Sequence, residues 1–464
     1  MMASMLRPAR AFTSPLLGGL ALLAAASGCG ESDECREAFQ VCDIATADCR
    51  EHVFVQTACA RGHEGRTVPP VHTITRDEFE ELLRSGAQPT ADEQRVDAQT
   101  ATALRMLDLL PPGQSSSDAA AIEAYARNVL AFYSRADQGI TIVGTNLGEV
   151  DRETACFVLS HEFVHAQQDV DVGLQDFFDA HVTSTDSNTS VRSVTEGEAV
   201  LFSNVTLSHR AGQSLTREEF TAYYSAQQEN LREAAAGVAS VDEAAAAITE
   251  LSSSFPYPFG GELVTARWLD DDMPGVLELY DDPPLSTATI LRTLAGAEPA
   301  NLPDVPEIST GTLPAGWSIV VDDTLGAWIM FAVARRSDFD ALAAEDLAED
   351  WAGDRLLVAG GPTAAEVALA WTLRFGSDLS AERFAAIAGT PPPEGVRSVQ
   401  RSGHDVTMIL AADEESLALW EDTFETAHVE PAPGLVGRDA APRSASRRVA
   451  RPLPRPVDDP RAPM

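Results

Sequence analysis

The sequence predicts an α+β fold that is predominantly helical, and three observations carry that expectation. Ala- and Glu-rich stretches between about residues 75 and 270 put apolar residues at helical spacing, with capping signals at several starts. Only one short β-branched run, Ile140-Thr141-Ile142-Val143, interrupts them. Past a stretch rich in Pro and Gly at 281–316, strands alternate with short helices, which predicts a small second α+β layer. With 44% hydrophobic residues in 464, the chain can bury a sizeable core in two or three packed units.

Taken in order, residues 1–28 read as an export signal. Arg7 and Arg10 precede an apolar run, Leu16 to Ala26, too short to span a bilayer comfortably. Ala26-Ser27-Gly28-Cys29 then resembles the lipobox of bacterial lipoproteins, with Ala26 where Leu is usual. That resemblance implies lipidation of Cys29 and an anchor in the bacterial cell envelope (outer membrane or periplasmic face), with secretion as the alternative. Residues 29–66 form a Cys-bearing leader. Cys35, Cys42, Cys49 and Cys59 are expected to form two disulfides, and Cys156 to remain a buried thiol.

Domain boundaries are expected at 67–310 for a first, mostly helical unit and 311–429 for the C-terminal layer. In the first unit Thr75-Arg76-Asp77-Glu78 reads as a capping box opening a helix through Leu83. Further helices are expected at 91–110, 118–132, 152–170, 193–210, 216–251 and 261–269. In the second, helix 325–336 precedes strands 355–358 and 366–375. Helix 381–388, a hairpin at Ser402-Gly403 and helix 415–424 follow, with Trp351 to Arg355 read as a turn. From 430 to 464 the chain is rich in Pro and Arg and reads as a disordered tail.

Charge excludes one class of partner. Seventy-one acidic and 33 basic residues, all of the latter arginine, give a net charge of −38. Nucleic-acid binding needs clustered cations that displace counterions, so it is not expected. Strongly acidic substrates are disfavoured for the same reason.

Chemistry concentrates in His161-Glu162-Phe163-Val164-His165. On a helix, positions i and i+4 share a face, so both imidazoles can hold one Zn²⁺ while Glu162 acts as general base. Catalytic zinc takes three protein ligands and leaves a place for water. Glu196, on the next helix 31 positions after His165 (196 − 165), is the expected third ligand, with Glu198 as the rival. This is a gluzincin-type arrangement. Asp169, one turn beyond His165, could accept a hydrogen bond from a ligand imidazole. Tyr257 is the expected donor to the developing oxyanion, ahead of Tyr223, Tyr224 and His209. The strand Ile140–Val143 could take up an extended substrate along its edge.

These blocks resemble a family of bacterial zinc metallopeptidases, many of them exported or lipoproteins, known chiefly from sequence. Its pattern runs H-E-x-x-H-A-L-Q-D, E-G-[DE]-A, P-Y and P-P-x-S-T. Here it appears as His161 to Asp169 with Gln167 in place of Leu, Glu196-Gly197-Glu198-Ala199, Pro256-Tyr257 and Pro283 to Thr287. Leu109-Leu110-Pro111, Phe132-Tyr133 and Trp351-Ala352-Gly353-Asp354-Arg355 match as well, so the likeness covers about residues 67–390. After Thr287 the family often continues Glu-Gln and His-Pro, where this chain has Ala288-Thr289 and Arg292-Thr293. The resemblance implies a zincin-like unit and a peptide or protein substrate. Two other readings stand beside it: an envelope lipoprotein with a structural zinc site that binds a partner, and a zinc hydrolase acting on another acyl group.

Overall fold

The computed structural model describes residues 34–62, 67–85, 90–110, 119–209, 215–236, 248–297, 304–337 and 339–426. The expected signal 1–28, Cys29 and the expected tail 430–464 lie outside them. The fold is mixed α+β and mostly helical.

Helix α1 (Ala47–Ala60) starts at Thr46, whose hydroxyl accepts the Cys49 N–H. Disulfides Cys35–Cys59 and Cys42–Cys49 clamp it, which settles the pairing, and Cys156 is a free buried thiol. Strand β1 (Val71–Ile74) leads into α2 (Arg76–Ser85), opened by the capping box: Thr75 N–H donates to Glu78 Oε2 at 2.7 Å, and Glu78 N–H to Thr75 Oγ1 at 3.2 Å. Helix α3 (Ala91–Met106) has a second box, Thr90 with Glu93.

Helix α4 (Ala119–Asn128) is shorter than its sequence pattern suggests, because Ala131–Ser134 forms strand β2. There Phe132 and Tyr133 pair antiparallel with Thr141 and Ile140 of β3 (Gly139–Val143), and β1 pairs parallel on the other side. The order β1-β3-β2 makes Ile140–Val143 the central strand, not an edge. The edge beside the next helix belongs to β2.

That helix, α5 (Arg152–Val172), is capped by Asp151, which accepts the Thr154 N–H at 2.8 Å, and stopped by Gly173 in the left-handed region at φ +66°. Every residue from Thr154 to Gln168 is buried, so α5 has no solvent face over that length. Phe157, Val158 and Phe163 pack against α1 and the small sheet, whereas Val164 enters the larger core. Helix α6 (Leu174–His181) follows, then α7 (Thr185–Ser208), which begins eight residues before the expected start (193 − 185), at Ser184 and Ser187. Helices α8 (Arg217–Ala235) and α9 (Ile248–Ser254) stand at the two ends of the stretch expected as helix at 216–251, and residues 237–247 between them lie outside the described ones. A wide π-helical turn, Pro256–Gly260, joins α9 to α10 (Gly261–Asp281), which breaks at Asp271 and Asp272. The expected loop after residue 281 contains α11 (Thr287–Leu294), capped by the Ser286 hydroxyl.

Strand β4 (Ile308–Thr310) pairs antiparallel with Phe424–Thr426. The C-terminal layer is a five-stranded antiparallel sheet of order β5-β6-β7-β9-β8: β5 (Ser318–Asp323), β6 (Trp351–Gly360), β7 (Val367–Phe375), β8 (Val396–Ser402) and β9 (Asp405–Ala411). Helices α12 (Ala327–Arg336), α13 (Ala341–Asp350), α14 (Asp378–Ala388) and α15 (Glu414–Thr423) accompany it. Trp351 to Arg355, expected as a turn, opens β6, with a bulge between Trp351 and Gly353. Both faces of the sheet are covered, so side-chain alternation sorts residues between two cores. Leu356, Val358, Leu369 and Trp371 join the core that also holds α7, α10 and α12. Leu357, Ala359, Ala368 and Ala370 face Trp420 of α15.

Three buried carboxylates tie the start of α7 to this layer. Asp186 Oδ1 accepts the Thr287 N–H at 3.0 Å and its hydroxyl at 2.6 Å. Asp323 accepts the Thr185 N–H and hydroxyl, and Asp354 accepts from Leu325 N, Gly326 N and Trp371 Nε1. Gly326, at φ +89°, admits no side chain: a Cβ there would lie 1.9 Å from Asp186 Oδ1. Burial pushes Asp186 up to about 7, against the pull of the Thr287 donors, and Asp354 up to about 6. A carboxyl raised in the native state contributes stability below its ordinary range that is lost as pH rises through the native value. Between pH 4 and pH 8 the wild type should therefore lose up to about 4 kcal/mol relative to Asp186→Asn. Melting temperatures of the two proteins across that range test this; a constant difference between them would refute the assignment.

Candidate metal centre

Helices α5 and α7 pack together, and α7 also lies against α10 and the Pro256–Gly260 turn. The second contact is backbone to backbone. A Cβ on Gly197 would stand 2.3 Å from the Gly260 carbonyl oxygen, and one on Gly260 would stand 2.1 Å from that of Ser193. Glycine in Glu196-Gly197-Glu198 is thus a spacing requirement: it lets the Pro256–Gly260 turn approach α7 and brings Tyr257 over His161. The two rings stack with centroids 5.9 Å apart.

The expected ligands converge. His165 Nε2 lies 3.1 Å from His161 Nε2 and 3.5 Å from Glu196 Oε2, and His161 Nε2 lies 3.1 Å from the same oxygen. All three side chains are buried. Donor atoms about 2.0–2.1 Å from a tetrahedral ion stand about 3.3–3.4 Å apart, so this triangle matches one face of such a site.

The tautomer of His165 follows from its neighbours. Gln168 Nε2 donates to Thr195 O and to Glu198 Oε2, each at 2.9 Å, which fixes its amide orientation. Gln168 Oε1 then faces His165 Nδ1 at 2.8 Å as an acceptor, leaving the Nε2 lone pair aimed at the other two atoms. A lone pair, a second ring nitrogen and a carboxylate oxygen brought this close require a cation or shared protons between them. The chemistry of the donor set therefore fits a divalent metal. His161 Nδ1 has no partner among the described residues.

Charges around the three atoms are graded by their partners. Burial opposes ionisation of Glu196, but the two imidazoles and Arg192, whose Nη2 donates to Oε1 at 2.7 Å, hold it well below the usual carboxylate range. Burial lowers His161. His165 is raised despite burial, because Glu196 and Glu162 favour its cation. Glu162 has lost its water shell and is pushed up to about 7, with His165 and the Tyr133 N–H pulling it back.

Several expected residues take other roles. Asp169 does not hold a ligand imidazole; it accepts the Tyr133 hydroxyl at 2.8 Å and the Leu174 N–H at 3.0 Å, joining β2 to the α5–α6 corner. Gln168, one position earlier, is the imidazole's partner. Glu198 turns away from the triangle, where it receives Tyr280 Oη at 2.6 Å and Arg61 Nε at 2.7 Å. Tyr224 Oη pairs with Thr265 Oγ1 and Tyr223 with Asn204, while His209 caps α7 thirteen residues past Glu196 (209 − 196), about 20 Å along the helix. Tyr257 is half-buried beside the triangle, and its hydroxyl meets no acceptor among the described residues.

Sequence reading missed Gln168, Arg192 and Arg61. The first two carry a local signal, lying at i+3 from His165 and i−4 from Glu196 on the ligand faces. Arg61 carries none, being 137 positions from Glu198. Cys42, Cys49 and Cys156 also bring three sulfurs together, but two of them form a disulfide and offer no thiolate.

No protein-family model, curated protein or solved structure matches this chain.

Gly197→Ala should destabilise the protein by about 2 kcal/mol or more, because neither backbone at the contact can yield cheaply. Denaturant unfolding measures it; a loss within about 0.5 kcal/mol would show that the close approach is dispensable.

Proposed function

We propose that this chain is a zinc-dependent metallopeptidase with a zincin-like catalytic unit. The observation that carries the reading is the meeting of His161 Nε2, His165 Nε2 and Glu196 Oε2 from two buried helices, with Glu162 beside them. Two imidazole nitrogens and one carboxylate oxygen suit zinc and leave room for a fourth ligand. Bound there, zinc would supply a Lewis acid and acidify a water to a pKa near 7.

The chain's own residues supply the rest. Glu162, poised at about 7, takes a proton from the attacking water on a carboxylate oxygen and returns it to the leaving nitrogen. Gln168 keeps the His165 proton on Nδ1, and Arg192 neutralises the second oxygen of Glu196. Tyr257 donates its hydroxyl to the developing oxyanion. Strand β2 provides an edge for an extended peptide. Leu130 O accepts the Val143 N–H, so by alternation Ala131 and Tyr133 turn their backbone groups away from β3; the Tyr133 N–H serves Glu162, which leaves the Ala131 groups and the Tyr133 carbonyl for a peptide.

Export with a lipid on Cys29 is part of the same reading. Two disulfides accord with an oxidising compartment, and no helix among the described residues is long and apolar enough to cross a membrane.

Metal analysis combined with a peptide-library digest tests the proposal. Wild type should carry one equivalent of zinc and cleave. Glu162→Gln should keep the zinc and lose about 10²-fold or more in rate, whereas Glu196→Ala should lose the zinc. Unchanged hydrolysis in Glu162→Gln would sink the mechanism. Zinc without cleavage of any peptide by wild type would leave a structural site or a non-peptidase hydrolase.

A further inference from the structure

Arg192 is a cation placed where a buried cation is costly. Its side chain is 7% exposed, and its one hydrogen bond among the described residues is that of Nη2 to Glu196 Oε1. Four of the five guanidinium N–H groups have no protein acceptor there, yet none of its nitrogens is both sealed off and unpartnered, so these donors face space beside the triangle that an acceptor could enter. The groups around it do not help. Besides Glu196, the Tyr257 and Tyr125 hydroxyls are close enough to feel its charge, and neither has a hydrogen-bond acceptor among the described residues. Donors thus gather beside the triangle with too few acceptors. Tyr125, from α4, is 38% exposed as a whole residue, but burial of its hydroxyl pushes that group up to about 12, so its oxygen faces inward.

We propose that Arg192, flanked by Tyr257 and Tyr125, binds a free carboxylate of the substrate, so that the site acts on peptides whose C-terminal carboxylate lies within about one residue of the scissile bond. This rests on the metallopeptidase reading. A planar guanidinium fork matches a carboxylate in bidentate fashion, and a charge-assisted pair is strongest where water is excluded. The span is set by Glu196 itself: Oε2 belongs to the triangle, and Oε1 of the same carboxylate holds Nη2 at 2.7 Å. The guanidinium therefore stands one carboxylate width and one hydrogen bond from the ligand oxygen. One residue of extended chain covers about 3.5 Å, so a C-terminal carboxylate on Arg192 and a scissile carbonyl at the triangle belong to adjacent residues, the carboxylate on the residue that leaves. A single carboxylate is also compatible with an acidic protein that would repel a polyanion.

The test compares N-acylated dipeptides carrying a C-terminal carboxylate with the same dipeptides as amides, using zinc-loaded wild type, Arg192→Gln and Arg192→Lys. Wild type should prefer the acids by about tenfold or more in kcat/KM. Arg192→Gln should bring the ratio within about twofold, mainly through KM, and Arg192→Lys should keep part of it. Equal cleavage of acids and amides by wild type, or an undiminished preference in Arg192→Gln, would overturn the proposal. A second arm needs no turnover: metal-free wild type is melted with a panel of N-acetyl amino acids and their amides. Acids alone should raise the melting temperature, and Arg192→Gln should abolish the rise; equal shifts from acids and amides would refute the site. Binding of acids in this arm, with no cleavage in the first, would reject the peptidase reading and keep the carboxylate site.

Discussion

A helix buried on every side carries two imidazoles, a carboxylate and two amides at high cost unless partners meet their polar atoms, and α5 is such a helix from Thr154 to Gln168, with His161 Nδ1 left without one among the described residues. Much of the surrounding architecture answers that demand. His165 needs Gln168, Gln168 needs Glu198, and Glu198 in turn takes Arg61 from α1 and Tyr280 from α10. On the other side, Glu196 takes Arg192. Two segments far apart in sequence, the end of α1 and α10, are thereby fixed against the α5–α7 pair by hydrogen bonds that neither of them can give up without burying an unmet charge or dipole.

The second constraint is space. Gly197 and Gly260 let two backbones touch, and Gly326 lets Asp186 reach Thr287. The sequence blocks that resemble the metallopeptidase pattern thus divide by role. His161 to Gln168 and Glu196 to Glu198 line the candidate centre, whereas Thr287 and Asp354 act in the joint that seats the start of α7 on the C-terminal layer. Among these motifs, some line the candidate centre and others seat the helices that carry it.

How far the sequence could be read follows from the range of each interaction. The helix bearing His161 and His165 was legible because i, i+4 spacing and a nearby N-cap are local facts. Glu196 was legible because it sits on the next long helix. Asp169 reads as an imidazole partner because a carboxylate one turn beyond His165 suits that role; a helix turns 100° per residue, and Gln168, one step earlier, takes it instead. Phe132 and Tyr133 read as the end of α4 because nothing local announces pairing with Ile140 and Thr141. The Arg61–Glu198 pair joins positions with no shared pattern, so only the folded chain reveals it. The predominance of helix and the strands of the C-terminal layer followed from periodicity, while β5 and α13 escaped it.

The Arg61 contact also bears on how the protein could mature. Its segment, a Cys-bearing stretch ahead of α5 and α7, has the outward look of a removable pro-region. Yet Arg61 is 1% exposed and compensates Glu198, which is fully buried, and it also reaches Asp171 at 2.8 Å. Clipping the chain after this segment would strand a carboxylate beside the ligand helices, at a cost of about 3–5 kcal/mol. The disulfides that clamp α1 around Cys35–Cys59 keep Arg61 at its post even if a protease nicks the loop they close. The N-terminal segment is therefore a permanent buttress of the centre, and trimming it would dismantle the site instead of unveiling it.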